Sequence, residues 1–345
     1  MKRTLLVFGV LVCWGAASAR AAENGSHYRI ANRIAVPGDS GWDLLAVDDA
    51  AGRIYLSHGT MVQVVDEKTG QVAGTIEGMN RVHGIALVPG RNEGFATSGA
   101  DTAVVAFDLK TLQVIKKITV NGVNPDGILY DPASKRVFAF NGRSNNATVI
   151  DPATHAVVGS VALPGKPELP VVDGHGMMFV NLEDTSMVAA IDTRALKVKA
   201  SWSLAPGKEP TGLAIDPATH RLFSACNNQM MVVLDCESGK VVTTLPIGDR
   251  VDGAAFDPGL KRAFASCGDG TLAVIQEKNQ STFSVFDTVP TQVGARTIAL
   301  DARTHHLFLP TAEFGDAPAP TADNPHPRPA IKPGTFVLLD IEPGK

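Results

Sequence analysis

The chain repeats itself about every 40 residues, and no other feature of its 345 residues restricts the fold as strongly. The register is marked by Asp48, Val88, Asp131, Asp173, Asp216, Asp257 and Asp301, spaced 40 to 44 residues apart. Six or seven residues after each marker stands an aromatic ring: Tyr55, Phe95, Phe138, Phe179, Phe223, Phe264 and Phe308. Within one unit, such as 210–248, four short apolar and β-branched runs alternate with turn-forming sets, which predicts four consecutive antiparallel strands. A unit this small cannot bury its own faces, and one ring at a fixed position per unit suits sheets packed face to face around an axis. The spacing therefore predicts an all-β chain folded as a seven-bladed β-propeller of four-stranded blades.

The strand count also predicts how the ring closes. Outer-strand segments end the first six units, at 72–76, 114–120, 157–163, 198–204, 241–247 and 282–289. The seventh unit supplies strands near 297–300, 307–309 and 336–341 and then ends. Its missing outer strand lies at the other end of the chain, where Arg29–Val36 followed by Pro37-Gly38 matches Val157–Leu163 followed by Pro164-Gly165. Closure by that strand leaves only short open edges and makes 22–345 one domain.

Residues 1–21 read as a leader rather than as part of the fold. Lys2 and Arg3 precede the apolar run Leu5–Trp14, and Ala19-Arg20-Ala21 fits a small-residue cleavage site, so a signal peptide and a periplasmic or secreted location are expected. The formal net charge is −4, and −7 without Lys2, Arg3 and Arg20, with no basic run. That argues against a nucleic-acid partner, which binds through clustered Lys and Arg. Cys226, Cys236 and Cys267 remain beyond the leader, an odd number that provides no disulfide framework. Cys226 and Cys267 occupy equivalent positions in adjacent units and are the one pair for which a bridge is considered.

Pro210-Thr211-Gly212-Leu213-Ala214, Phe138-Ala139-Phe140-Asn141 and Ala147-Thr148-Val149-Ile150-Asp151 are the strand motifs of one known family. Through them the whole of 22–345 resembles the YVTN-repeat seven-bladed propellers, and in particular their secreted YncE-like members. The resemblance implies the propeller fold and says little about chemistry. One relative is associated with single-stranded DNA; other propellers are metal-dependent lactonases or redox-linked enzymes.

Chemistry is expected where the repeats differ. At the end of the ring where first strands begin, here called the top, each unit carries a different polar residue. Before the first strands stand Asp43, His83, Asp126, Glu168, Thr211, Asp252 and Arg296; after the second strands stand residues that include His58, Asn141 and Asn227. Loops on a rigid scaffold carry binding, so this rim is the expected ligand surface. A Pro-rich insertion at 313–334, with Phe314 and Ile331 as anchors and Glu313 at its base, is expected to lie over the mouth as a lid. The reading is a monomeric binding protein for a small molecule, peptide or periplasmic protein, with no catalytic residue and no cofactor motif. The enzyme alternative needs a divalent ion held by Asp43, His58, His83 and Glu168, or acid–base pairs such as Asp126 with Asp252 or Glu168 with Arg296. Of nine histidines, His155, His175, His220, His305 and His306 fall in or beside bottom turns, His58, His83 and His326 belong to the top, and His27 lies in the N-terminal arm.

Overall fold

The computed structural model describes residues 26–319, 321 and 329–344; the expected leader and His326 lie outside them. Among the described residues there are seven four-stranded antiparallel sheets, each with sequential strand order except the last. The inner strands are Trp42–Asp48, Val82–Val88, Pro125–Asp131, Pro167–Val172, Pro210–Asp216, Val251–Asp257 and Ala299–Asp301. Each touches the next, and the seventh touches the first. Blade seven is completed by Tyr28–Ala35, which pairs antiparallel with Val337–Pro343, from Tyr28 opposite Pro343 to Ala35 opposite Val337. The ring is therefore closed by the strand that precedes blade one.

Seven apolar clusters occupy the seven blade junctions, and each repeating ring belongs to one of them. Tyr55 of blade one sits in the junction with blade two, Phe95 of blade two in the next, and so on to Phe308 in the junction of blades seven and one. All seven rings are at most 1% exposed. Burying one such side chain stabilises by about 2–3 kcal/mol, which is why the aromatic recurs in register.

The marker aspartates act at the bottom. Asp48, Asp131, Asp216, Asp257 and Asp301 each accept hydrogen bonds from backbone N–H groups two or three residues on, closing the turn into the second strand. The residue that ends several of these turns, such as Lys135, His220, Lys261 or His305, is left-handed. Three bottom histidines are hydrogen-bonded to carboxylates rather than simply solvated. His155 meets Glu93 at 2.9 Å, His305 meets Asp257 at 2.7 Å and His306 meets Asp340 at 2.6 Å.

Near the axis the blades come very close. A Cβ on Gly84 would lie 2.7 Å from the Asp126 carbonyl oxygen, and one on Gly127 would lie 2.9 Å from that of Glu168. Glycine after the rim residue thus lets one inner strand approach the backbone of the next blade. The bridge considered between Cys226 and Cys267 is not formed, and all three described cysteines are free and buried. Cys226 packs between blades four and five and Cys267 between five and six, and each thiol donates to the carbonyl two residues earlier.

Candidate functional site at the top of the ring

Counting five residues back from each marker gives Asp43, His83, Asp126, Glu168, Thr211, Asp252 and Arg296, one per blade. In blades one to six the pairing of first and second strands slips at this point, for example between Val82 and Ile85 or Pro125 and Ile128. Such a bulge frees a residue from the ladder and re-aims its side chain. The residue two positions earlier is left-handed in blades two, three, five and six, at Arg81, Asn124, Glu209 and Arg250, with φ of 49–57°. Each of these costs roughly 1–2 kcal/mol for an L-residue. Their carbonyls accept from the N–H groups of Gly99, Gly142, Asn227 and Gly268, which clamp the end of the second strand to the rim.

Neighbouring blades hold the rim in place. Thr97 Oγ1 donates to the Asp126 carbonyl, Ser266 Oγ to that of Arg296, and Thr297 Oγ1 to that of Asp43. Asn181 Nδ2 does the same for Thr211 and Gly212. The backbone under the charged side chains is thereby fixed from the side.

Six of the seven rim positions line one cavity of about 500 Å³, together with Trp42, Arg81 and Asn80 among others. His83 Nδ1 lies 2.6 Å from Asp43 Oδ2 and 3.7 Å from Asp126 Oδ1. Arg296 Nε donates to Asp252 Oδ2 at 2.7 Å, and its Nη2 reaches the Trp42 carbonyl at 3.3 Å. Lys166 meets Glu168 Oε1 at 2.8 Å and also pairs with Glu183. The ring is short of positive charge. Burial, with Asp43 adding, pushes Asp126 up to about 6; burial, with Asp126 adding, pushes Glu168 up to about 8. Burial and Asp43 raise Asp252 as well, against the pull of Arg296. Burial works to lower the His83 imidazole, but its hydrogen bond to Asp43 and the charges of Asp126 and Asp43 prevail and raise it.

The remaining candidates lie elsewhere. Thr211 is 5% exposed and its hydroxyl donates to the Val251 carbonyl, so it serves a blade junction. His58 is buried between Gln63 Oε1 at 2.6 Å and the Ser40 carbonyl, with Phe336 against its ring. Asn141 is fully buried and donates to Asn146 and Thr148. Asn227 stands at the blade-five clamp, and Glu313 is exposed and paired with Lys332 at 3.3 Å. Second-strand ends therefore point into the blade, and first-strand bulges point into the mouth. His58 takes no part in the Asp43–His83 group, and Glu168 is held by Lys166.

Lys166, Arg81, Asn124 and Trp42 were not singled out by sequence. The first three share one repeat position, two before the rim residue, where Gly41 and Gly294 stand in blades one and seven; that alignment was the available signal. At the base of the insertion Phe314 bridges to Ile331, and Gly315 N–H donates to the Ala330 carbonyl. The Phe314 ring packs on Trp42 with centroids 6.0 Å apart. The loop is thus rooted beside a residue that lines the cavity.

Fold and site together define a seven-bladed β-propeller with a charged mouth. Solved structures agree on the fold: a chain of "Kuenenia stuttgartiensis Hydrazine Synthase" is 17% identical with a TM-score of 0.68, over 79% of this chain and 94% of that one. A chain from "Crystal Structure of Mitotic Checkpoint Complex" is 12% identical with a TM-score of 0.75 over 100% of both. At such identities the likeness shows the propeller alone. No family model and no curated protein matches the chain.

Proposed function

We propose that this protein is a periplasmic or secreted propeller of the YncE-like kind that binds a small, positively charged ligand at the top of its ring. The observation that carries the reading is the convergence of Asp43, Asp126, Glu168 and Asp252 on one cavity of about 500 Å³. Three of these carboxyls are raised, each primarily by burial and although Lys166 holds Glu168 and Arg296 holds Asp252, so a further cation in the cavity would be favoured. The cavity is large enough for an amino-acid-sized or polyamine-sized molecule and is formed by rigid strand ends, as binding sites on scaffolds are. A phosphate backbone would meet these same carboxylates, which weighs against single-stranded nucleic acid as the occupant.

The experiment is a melt-shift panel on the purified chain with arginine, spermidine and Lys-containing dipeptides, and glutarate as an acidic control. A basic compound is expected to raise the melting temperature of the wild type and to lose most of that effect in Glu168→Gln and Asp252→Asn. Its affinity should rise with pH through about 6 and again through about 8, as Asp126 and Glu168 ionise. Stabilisation by glutarate alone, or equal shifts in the wild type and both variants, would overturn the reading.

A further inference from the structure

We propose that Asp43, His83 and Asp126 form a divalent-metal site on the wall of the top cavity. The inference deepens the proposed function and rests on the reading of this rim as a cation-accepting surface. The three side chains come from equivalent positions of blades one, two and three. One ligand atom from each, including His83 Nδ1, lies within 4.8 Å of the other two. Imidazole with two carboxylates is a donor set that suits zinc and manganese.

Geometry supports a bound ion after small movements. Ligands about 2.1 Å from a metal stand about 3.0–3.4 Å apart in octahedral or tetrahedral arrangements. The His83–Asp126 separation of 3.7 Å is close to that, and the His83–Asp43 separation of 2.6 Å must open slightly, which a rotation of one carboxylate achieves. The main chain need not move, since the Asp126 and Asp43 carbonyls are held by Thr97 and Thr297. A site on strand ends with fixed backbone is the kind that keeps its ligands in register.

The histidine provides an independent sign. Its side chain is 9% exposed, yet Nε2 has no hydrogen-bond partner among the described residues. As a simple partner of Asp43 the imidazolium would leave a buried N–H unpaired, which costs roughly 1–3 kcal/mol. Nε2 faces Gly99, where a Cβ would come within 2.8 Å of it and within 3.2 Å of Asn124 Oδ1. Asn124 already donates from Nδ2 to Asp126 Oδ2 at 3.4 Å. The same amide thus stands beside a carboxylate ligand and on the distal side of the imidazole ligand, the place where metal sites keep an orienting group. With the ion on Nδ1 and the proton on Nε2, Asn124 Oδ1 is the acceptor toward which that N–H would turn. The face of the group toward the cavity stays open for water or for an electron-donating group of a ligand.

The test uses the full chain, treated with chelator and dialysed, then titrated with zinc and manganese chloride by calorimetry, with manganese followed also by electron paramagnetic resonance. One ion per chain is expected, with affinity reduced at least tenfold in His83→Ala and in Asp126→Asn, and unchanged in Glu313→Gln. Asn124→Ala should weaken binding less than either ligand variant. Two ligand variants guard against one failing to fold, which circular dichroism reports. No binding by the wild type, or binding by folded His83→Ala and Asp126→Asn as tight as the wild type's, overturns the metal site. If basic compounds still shift the melt in that case, the proposed function stands without the ion; if neither metal nor amine binds, both fall.

Discussion

Glu277 offers the sharpest test of how the blades are joined. It lies near the end of the third strand of blade six, Thr271–Asn279, is 1% exposed, and neither carboxyl oxygen has a hydrogen-bond partner of good geometry among the described residues. It faces Thr219 and Asp216 of blade five, with Arg221 nearby. Burial pushes its carboxyl from 4.5 to about 7, the Asp216 charge adding to this and Thr219 opposing it. At 1.36 kcal/mol per unit, that shift corresponds to about 3 kcal/mol. Because the folded value lies above the unfolded one, this contribution is fully present below about pH 4.5 and is lost as pH rises through about 7. Above that the protein must hold an ionised, buried Glu277 beside Asp216. Glu277→Gln removes the ionisation and keeps the shape. Urea unfolding at pH 5, 7 and 8.5 should find the variant within about 1 kcal/mol of the wild type at pH 5 and more stable by up to about 3 kcal/mol at pH 8.5. Parallel losses of stability by both proteins between pH 5 and 8.5 would refute the argument. Glu67 occupies the equivalent position in blade one against Asp301 of blade seven, and its carboxyl is likewise raised, chiefly by burial, so Glu67→Gln should act in the same direction.

Other consequences concern the scaffold. Gly127→Ala places a methyl 2.9 Å from the Glu168 carbonyl oxygen and should cost about 1–3 kcal/mol in urea melts. Gly142→Ala, with nothing nearer than 3.6 Å, should change stability by less than about 0.5 kcal/mol. Phe223 stacks on Phe256 at 5.3 Å in the junction of blades five and six, so Phe223→Ala should cost about 3–5 kcal/mol, read as a lower urea midpoint. Removing the chain up to Ala35 uncovers the edge of Val337–Pro343 and should yield aggregated protein by light scattering; a soluble monomer would contradict closure by this strand.

The fold was legible because its cause is repeated seven times. A ring that must fill a junction, and an aspartate that must close a turn, recur at the same spacing, and Tyr28–Ala35 could be assigned to blade seven because it resembles 157–163. The site was legible only where side-chain direction follows from the same count. Asp43, His83, Asp126, Glu168, Asp252 and Arg296 share one position; the bulge there turns the first five to the mouth, and Arg296 reaches it from just before the short inner strand of blade seven. His58 and Asn141 stand at the same end of the ring but close a second strand, between its partner strand and the next blade, so they are consumed by Gln63, Ser40, Asn146 and Thr148. Thr211 shows that position alone does not decide. It shares the rim register, but its short hydroxyl is satisfied by the Val251 carbonyl, while longer or charged side chains at that position extend past the junction. Arg81 and Asn124 escaped because left-handed backbone there is carried by residues other than glycine, which leave no mark in composition, and Lys166 shares their repeat position without the positive φ. What distinguishes this mouth is therefore set by two repeat positions: one that aims a side chain at the axis, and one, two residues earlier, where a left-handed residue in blades two, three, five and six bends the chain to make the aim hold.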